Sequence, residues 1–347
     1  MNPISLPVHP KDATAKILKS ISNKRAEDVL NRRFGIRGKK HTLEAIGKQY
    51  GITRERVRQI EEAAMKSLAE NDSVKAELVS ITPQLKEHLQ NHGGVSEEGR
   101  YFSSVADEKY HPHLNFLLLL ARPVSRKEED EKHHNRWYVA DETLAKAETV
   151  VHRVMNELDD KKKVVSESDL WNMFERHTRE VFGFSKDEKA VKSYMSIAKS
   201  IAKNPYGEYG LVHWPEINPV GVRDKAYVVL TKIGKPLHFT DVAKQINKVG
   251  WSRKRSAHPQ TVHNELIKDS RFVLVGRGMY ALKEWGYEPG TVKDVLLSVM
   301  KSAGKPLSKE EIIKRVGEKR IVKANTVLLN LQDKKKFRRI DTGYSLV

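Results

Sequence analysis

Residues 41–68, HTLEAIGKQYGITRERVRQIEEAAMKSL, hold two apolar stripes at helical spacing with a single glycine between them, a pattern that commits the segment to two helices joined by a tight turn. Leu43, Ile46 and Tyr50 recur at i, i+3 and i+7; Gly51 supplies the connection; Thr53 is positioned to cap the second helix. Val57, Ile60, Ala64 and Leu68 form the inward stripe of that second helix, which leaves Arg54, Glu55, Arg58 and Gln59 on its outer face near the N-terminal end. In a helix-turn-helix this end enters the major groove. Arginine can bond guanine O6 and N7 together, glutamate can accept from the cytosine amino group, and glutamine can pair with an adenine edge, so these side chains can read mixed sequence. The competing reading is a solvated helix whose charges pair with one another, Arg58 being flanked by Glu55 and Glu62. The glycine turn and the amphipathic helix before it favour DNA reading.

The longer run from Arg25 to Leu68, RAEDVLNRRFGIRGKKHTLEAIGKQYGITRERVRQIEEAAMKSL, resembles region 4 of the housekeeping-type bacterial sigma factors. It carries an RxxxVLxxRFGI helix, a short basic loop, HTLEAIGKQ and then TRERVRQIE. The resemblance implies recognition of the promoter −35 element and docking on the flap of the RNA polymerase β subunit. It implies base contacts for Arg54, Glu55, Arg58 and Gln59, and places Arg33, Thr42, Glu44 and Arg56 near the DNA backbone. A working sigma factor also needs upstream helices that bind the polymerase clamp and open the −10 element, and only 24 residues precede Arg25 here. Autonomous promoter opening is not expected.

The charge balance points the same way. Lys and Arg number 63 against 45 Asp and Glu, a formal net charge of +18 with a sequence pI near 9.7, which favours a polyanion such as double-stranded DNA as partner. With 39% hydrophobic and 31% charged residues, the 347-residue chain suits several small modules better than one large core. Cysteine is absent, so neither disulfides nor thiolate zinc sites can staple those modules. The N-terminal sequence has no apolar signal-like core, and the longest apolar run, Phe116 to Ala121, is too short to span a bilayer. A cytoplasmic, nucleoid-associated protein with no membrane partner is expected.

Beyond residue 72 a pattern recurs. Gly234-Lys235-Pro236-Leu237 and Gly304-Lys305-Pro306-Leu307, 70 positions apart, each precede an amphipathic helix, then a Thr-Val helix, TVHNELIKD or TVLLNLQDKKK, then two short strands, FVLVGRGMYAL or FRRIDTGYSLV. Three helices followed by a β-hairpin is the winged-helix order. The segment from about 218 to 286 is similar to the HARE-HTH winged-helix family, also found at the N-terminus of the delta subunit of Gram-positive RNA polymerase, and the resemblance implies engagement of DNA or the transcription machinery. Two weaker copies are read between, one ending in the charged stretch ARPVSRKEEDEKHHNRWYVA, taken as a long wing, and one ending in YGEYGLVHWPEINP. The expected fold is mainly α with short β-hairpins: a helix-turn-helix over 1–72 followed by winged-helix modules over 73–141, 142–217, 218–286 and 287–347. Trp137, Trp214 and Trp285 near the hairpin ends are read as core aromatics.

Basic side chains gather where winged helices meet DNA: Arg253, Lys254 and Arg255 before a third helix, Arg277 at a wing tip, and Lys334, Lys335, Lys336, Arg338 and Arg339 at the last wing. Of these, Arg253, Lys254, Arg255, Arg277, Lys335 and Lys336 are assigned to the DNA backbone. The last 62 residues hold 14 Lys and Arg against 7 Asp and Glu, which makes the final module the best candidate for sequence-independent binding. His111, His113, His133 and His134 lack carboxylates at ligand spacing, so no metal is assigned. The acidic run Glu128 to Glu131 is read as a solvated wing tip rather than a nuclease centre. No phosphate loop, dinucleotide fingerprint or nucleophile elbow is present, and neither an enzyme nor a cofactor is expected. The sequence supports a DNA-binding transcription regulator associated with RNA polymerase; the alternative is a protein-interaction module that blocks or bridges sigma docking without reading DNA. It leaves the oligomeric state open.

Overall fold

The structure, a computed structural model, describes residues 6–251, 256–340 and 343–347. The chain divides into two compact units, Met1–Ala202 and Lys203–Val347.

The first unit opens with α1 (Pro10–Lys19), α2 (Lys24–Phe34), α3 (Leu43–Tyr50) and α4 (Arg54–Glu70). Each of the last three starts at a side-chain cap: Asn23 accepts from the Arg25 and Ala26 N–H groups, Thr42 from Ala45, and Thr53 from Arg56. Such caps are worth about 1 kcal/mol each. Val29, Ile46 and Val57 meet at the centre of these helices, fully buried, with Leu43, Tyr50, Ile52 and Ile60 packed around them. The sharp approach of α3 to α4 depends on two glycines. Gly51 ends α3 in the left-handed region at φ 64°, and a Cβ on Gly47 would sit 2.6 Å from the Ile52 carbonyl oxygen. Gly47→Ala therefore forces α3 and the turn apart. The expected loss is about 1–3 kcal/mol, with DNA binding falling in parallel; chemical denaturation and duplex titration of the same variant check it.

Next come α5 (Asp72–Val79), α6 (Thr82–Asn91), β1 (Val95–Glu97), α7 (Glu98–Val105), α8 (His111–Ala121), β2 (Ser125–Lys127) and β3 (Arg136–Tyr138). The strands form an antiparallel sheet in the order β1-β3-β2, with Ser96 opposite Trp137 and Trp137 opposite Arg126. That is winged-helix topology, including a first strand too short to be seen in the sequence. Helix α8 is apolar on nearly every side and must be enclosed all round. Leu114, Phe116, Leu117 and Leu118 are at most 1% exposed, in one core with Ala13, Ile17 and Leu18 of α1, Leu30 and Phe34 of α2, and Leu68 of α4. Phe34 and Phe116 meet edge to face at 5.2 Å. The opening helices and the winged helix after them thus share a single hydrophobic core.

Three further helices, α9 (Asp141–Lys161), α10 (Glu167–Phe182) and α11 (Glu188–Ser196), lead to a hairpin of β4 (Ile201–Lys203) and β5 (Tyr209–Leu211). The loop between β2 and β3 keeps its acidic residues 128–131 exposed, as a solvated wing tip would, but is fastened down at its base. Arg136 is 0% exposed, and its guanidinium binds Asp130 at 2.8 Å and Glu148 of α9 at 2.5 Å while donating to the Glu128 and His134 carbonyls. The His134 N–H donates to the Ile197 carbonyl, and Lys199 pairs with Glu129 at 3.0 Å. A guanidinium taken out of water must keep its carboxylates close, and this one holds Asp130 at the foot of the loop while residues 128–131 stay exposed.

The second unit contains α12 (Val222–Ile233), β6 (Leu237–His238), α13 (Phe239–Lys248), α14 (Pro259–Lys268), β7 (Phe272–Gly276) and β8 (Met279–Leu282), with sheet order β6-β8-β7. It continues with α15 (Val292–Ala303), α16 (Lys309–Lys319), α17 (Ala324–Leu331), β9 (Phe337–Ile340) and β10 (Gly343–Leu346). In this last copy Leu307 bridges Tyr344, standing where β1 and β6 stand in the others. The fold is mainly α with small antiparallel sheets, as expected. The two modules are coupled through the outer edge of β7. Ile321 N–H donates to the Val275 carbonyl at 2.9 Å, and the buried Arg320 guanidinium donates to the Leu274 and Gly290 carbonyls.

Candidate nucleic-acid interface

Helix α4 separates its two jobs along its faces. Val57, Ala64 and Leu68 are buried, whereas Arg54, Glu55, Arg56, Arg58 and Gln59 are all exposed on its first two turns. Thr53 occupies one of the free N–H groups at this end, and the helix dipole leaves the end positive and suited to a phosphate. Arg58 bonds Glu55 through Nε at 3.0 Å and Nη2 at 2.7 Å and also reaches Glu62, while Arg56 donates to the Gln59 side-chain oxygen at 3.1 Å. The Arg58 guanidinium holds the Glu55 carboxyl below its ordinary pKa. Arg54 makes no hydrogen bond or ion pair among the described residues. Apart from Arg54, this exposed face is therefore a ladder of mutually paired side chains, the arrangement that the competing reading of the sequence anticipates. These pairs are exposed, so solvent screens them and they hold the side chains only weakly.

The residues assigned to the DNA backbone fall into two groups. Thr42 caps α3 through its hydroxyl, and Glu44 pairs with Lys48 at 2.9 Å, both at the exposed start of α3. Arg33 is half-buried against Glu61 of α4 at 3.2 Å, where it ties α2 to α4. Burial raises the Glu61 pKa even with that arginine beside it. Lys39 and Lys40, in the loop leading to α3, are exposed and without ion pairs among the described residues. Sequence reasoning does not single them out, although the basic RGKKH loop is their signal.

Elsewhere, Arg277 is exposed at the β7–β8 turn. Lys335 and Lys336 are exposed in the turn between α17 and β9, at the base of the last hairpin rather than along a wing, because Asp333 draws the chain into a turn there through the Lys335 and Lys336 N–H groups. Arg338 and Arg339 lie exposed on β9. Arg253, Lys254 and Arg255 lie outside the described residues. The third helices of the second unit are chemically unlike α4: α14 shows Gln260, Asn264 and a 62% exposed Ile267, α17 a 64% exposed Leu329, and neither carries an arginine. The basic groups singled out in this unit, Arg277, Lys335, Lys336, Arg338 and Arg339, sit on turns and a strand, positions suited to phosphates more than to bases. Among the described residues no group of three or more histidines and carboxylates could hold a metal ion, and no helix is long and apolar enough to cross a membrane.

Comparison with known proteins matches residues 23–70 to the sigma-70 region 4 family and residues 222–285 to the HARE-HTH family, a helix-turn-helix domain described from ASXL proteins and restriction endonucleases among others. The chain thus carries a sigma region 4 domain and a HARE-HTH domain. It is similar to the RNA polymerase sigma factor SigA of Lactococcus lactis subsp. cremoris, 58% identical over 45 residues, which are 13% of this chain and 12% of the relative. It is also similar to sigma factor RpoD of Neisseria gonorrhoeae, 47% identical over 58 residues (16% of this chain, 9% of the relative), and to SigA of Clostridium acetobutylicum, 46% identical over 59 residues (17% and 15%). The chain therefore spans only a small fraction of the length of these curated relatives. Both matched families are helix-turn-helix domains rather than catalytic ones.

Proposed function

We propose that this chain, with a sigma-70 region 4 domain at residues 23–70 and a HARE-HTH domain at 222–285, is a DNA-binding transcription regulator that works alongside bacterial RNA polymerase. Arg54, Glu55, Arg58 and Gln59 read a −35-like element in the major groove. Arg33, Thr42, Glu44, Arg56 and the Lys39–Lys40 loop steady the flanking backbone, and Arg277, Lys335 and Lys336 extend the contact through phosphates. The observation that carries this reading is the division of labour in the opening helices. Their apolar faces are consumed by the small core of Val29, Ile46 and Val57 and by the core shared with α1 and α8, and what α4 leaves exposed on its first turns is polar and rich in arginine. That surface suits a nucleic acid, and it counts against a module working mainly as an apolar docking face on polymerase.

Salt separates the two. DNA reading makes log affinity fall linearly with log salt, by about 0.9 for every phosphate engaged, whereas an apolar contact with polymerase changes little across the same range. Duplex and polymerase titrations at several salt concentrations, with nuclease treatment of the polymerase arm, give the answer. A flat salt profile for duplex binding overturns the proposal. Within it, Lys335→Ala combined with Lys336→Ala weakens binding to specific and scrambled duplexes alike and lowers the salt slope by about 0.9 for each phosphate no longer engaged. A changed sequence preference in that variant contradicts the backbone assignment.

A further inference from the structure

A groove of about 1170 Å³ runs beside α4 within the first unit, with Arg58, Glu62 and Lys66 on one wall and Arg122, Ser125 and Arg126 on the other. Its charges are almost all matched. Glu61 is paired with Arg33, Glu62 with Arg58, Glu70 with Lys66 at 3.9 Å, and Arg126 is held by Glu98. Arg122 differs from all of these. It is exposed, makes no side-chain hydrogen bond or ion pair among the described residues, and closes α8 in the left-handed region at φ 53° and ψ 41°. Glycine or asparagine is the unstrained choice at such a position, and an arginine preceding Pro123 is a costly one. Its charge does favour the carbonyl end of α8, as Lys162 at φ 50° favours that of α9, but this does not require the longest cationic side chain.

We propose that Arg122 is a DNA-backbone contact: the groove receives the sugar-phosphate strand flanking the bases read by α4, and Arg122 holds a phosphate from the side opposite the recognition helix. A guanidinium kept unpaired beside a reading helix has one strong complement, an anionic oxygen at the groove rim. The winged helix after the region 4 domain thereby widens the footprint of that domain instead of seeking a separate site. The inference rests on DNA reading by α4.

Arg122→Gly relieves the backbone strain and removes the charge, so stability and binding move in opposite directions. In the full chain at 0.15 M salt, affinity falls about five-fold for −35-like and scrambled duplexes equally, and the salt slope falls by about 0.9. The melting temperature rises by about 2 °C. Lys162→Gly, with the same geometry and charge change away from the groove, gives a similar rise and leaves affinity unchanged. Unchanged affinity in Arg122→Gly, while wild type still discriminates the duplexes, overturns this proposal alone, as does an equal loss in both variants. A wild-type chain that binds neither duplex removes the DNA reading and the phosphate contact together.

Discussion

Replacing Arg58 with alanine is expected to erase the preference of this chain for a −35-like duplex over a scrambled one. Arg58 sits on the exposed face of α4, one turn in from the Thr53 cap, where a guanidinium can reach a guanine edge. A bidentate arginine–guanine pair supplies roughly 5- to 150-fold discrimination, so the specificity ratio should collapse by that order. The fold should survive. Among the described residues Arg58 is bonded only to Glu55 and Glu62 of its own helix, in solvent, and Val57, Ala64 and Leu68 anchor α4 without it. Losing the arginine also frees two glutamates beside the phosphates, so general affinity drops as well. The diagnostic quantity is the ratio between duplexes, with circular dichroism as the control for folding.

Arg136→Met is expected to produce the largest loss of stability. The methionine replaces much of the aliphatic bulk but takes the guanidinium from Asp130 and leaves Glu148 with Lys127 alone, at 3.0 Å. Breaking a buried pair by removing one partner costs about 3–5 kcal/mol, which for a unit of this size lowers the melting temperature by about 10 °C. The same network sets an acid limit. Burial alone pushes the Asp130 and Glu148 carboxyls up, but the hydrogen bonds they accept, from Arg136 in both cases, outweigh it and hold both below their ordinary values. A carboxyl whose pKa is lower folded than unfolded contributes stability that is fully present above the unfolded value near 4 and is lost as pH falls through the folded one. Wild type should therefore lose melting temperature on acidification below about pH 4, and the variant should show a flatter profile from a lower start. Equal profiles would mean that Arg136 does not set these carboxyls.

How much of the fold and site is legible in the sequence depends on the range of each interaction. The stripe Val57, Ile60, Ala64 and Leu68, the Thr53 cap and the Gly51 turn are local patterns, and they suffice to place Arg54, Glu55, Arg58 and Gln59 together on one exposed face. The β7–β8 hairpin is equally local, its strands joined by Arg277-Gly278. Strand β1 is not legible, since three residues carry no period and its partner β3 lies about forty positions later. Nor is the burial of Arg136: in the sequence it follows a charged stretch, and only contact with Glu148 and the 197–200 segment reveals that the stretch is anchored. The run LNFLLLLA announces a buried helix but not what would bury it, and α1 and α2 supply much of that cover. Arg122 gives no signal at all, because its interest lies in a backbone angle.

Reading of bases by α4 is tested most directly by selecting bound sequences from a random duplex library with the full chain, in parallel with Arg58→Ala. DNA reading gives wild type a short enriched motif containing guanine at the position Arg58 faces, and gives the variant a pool in which that position has lost its preference. No enriched motif for wild type, or the same motif from both proteins, would contradict it.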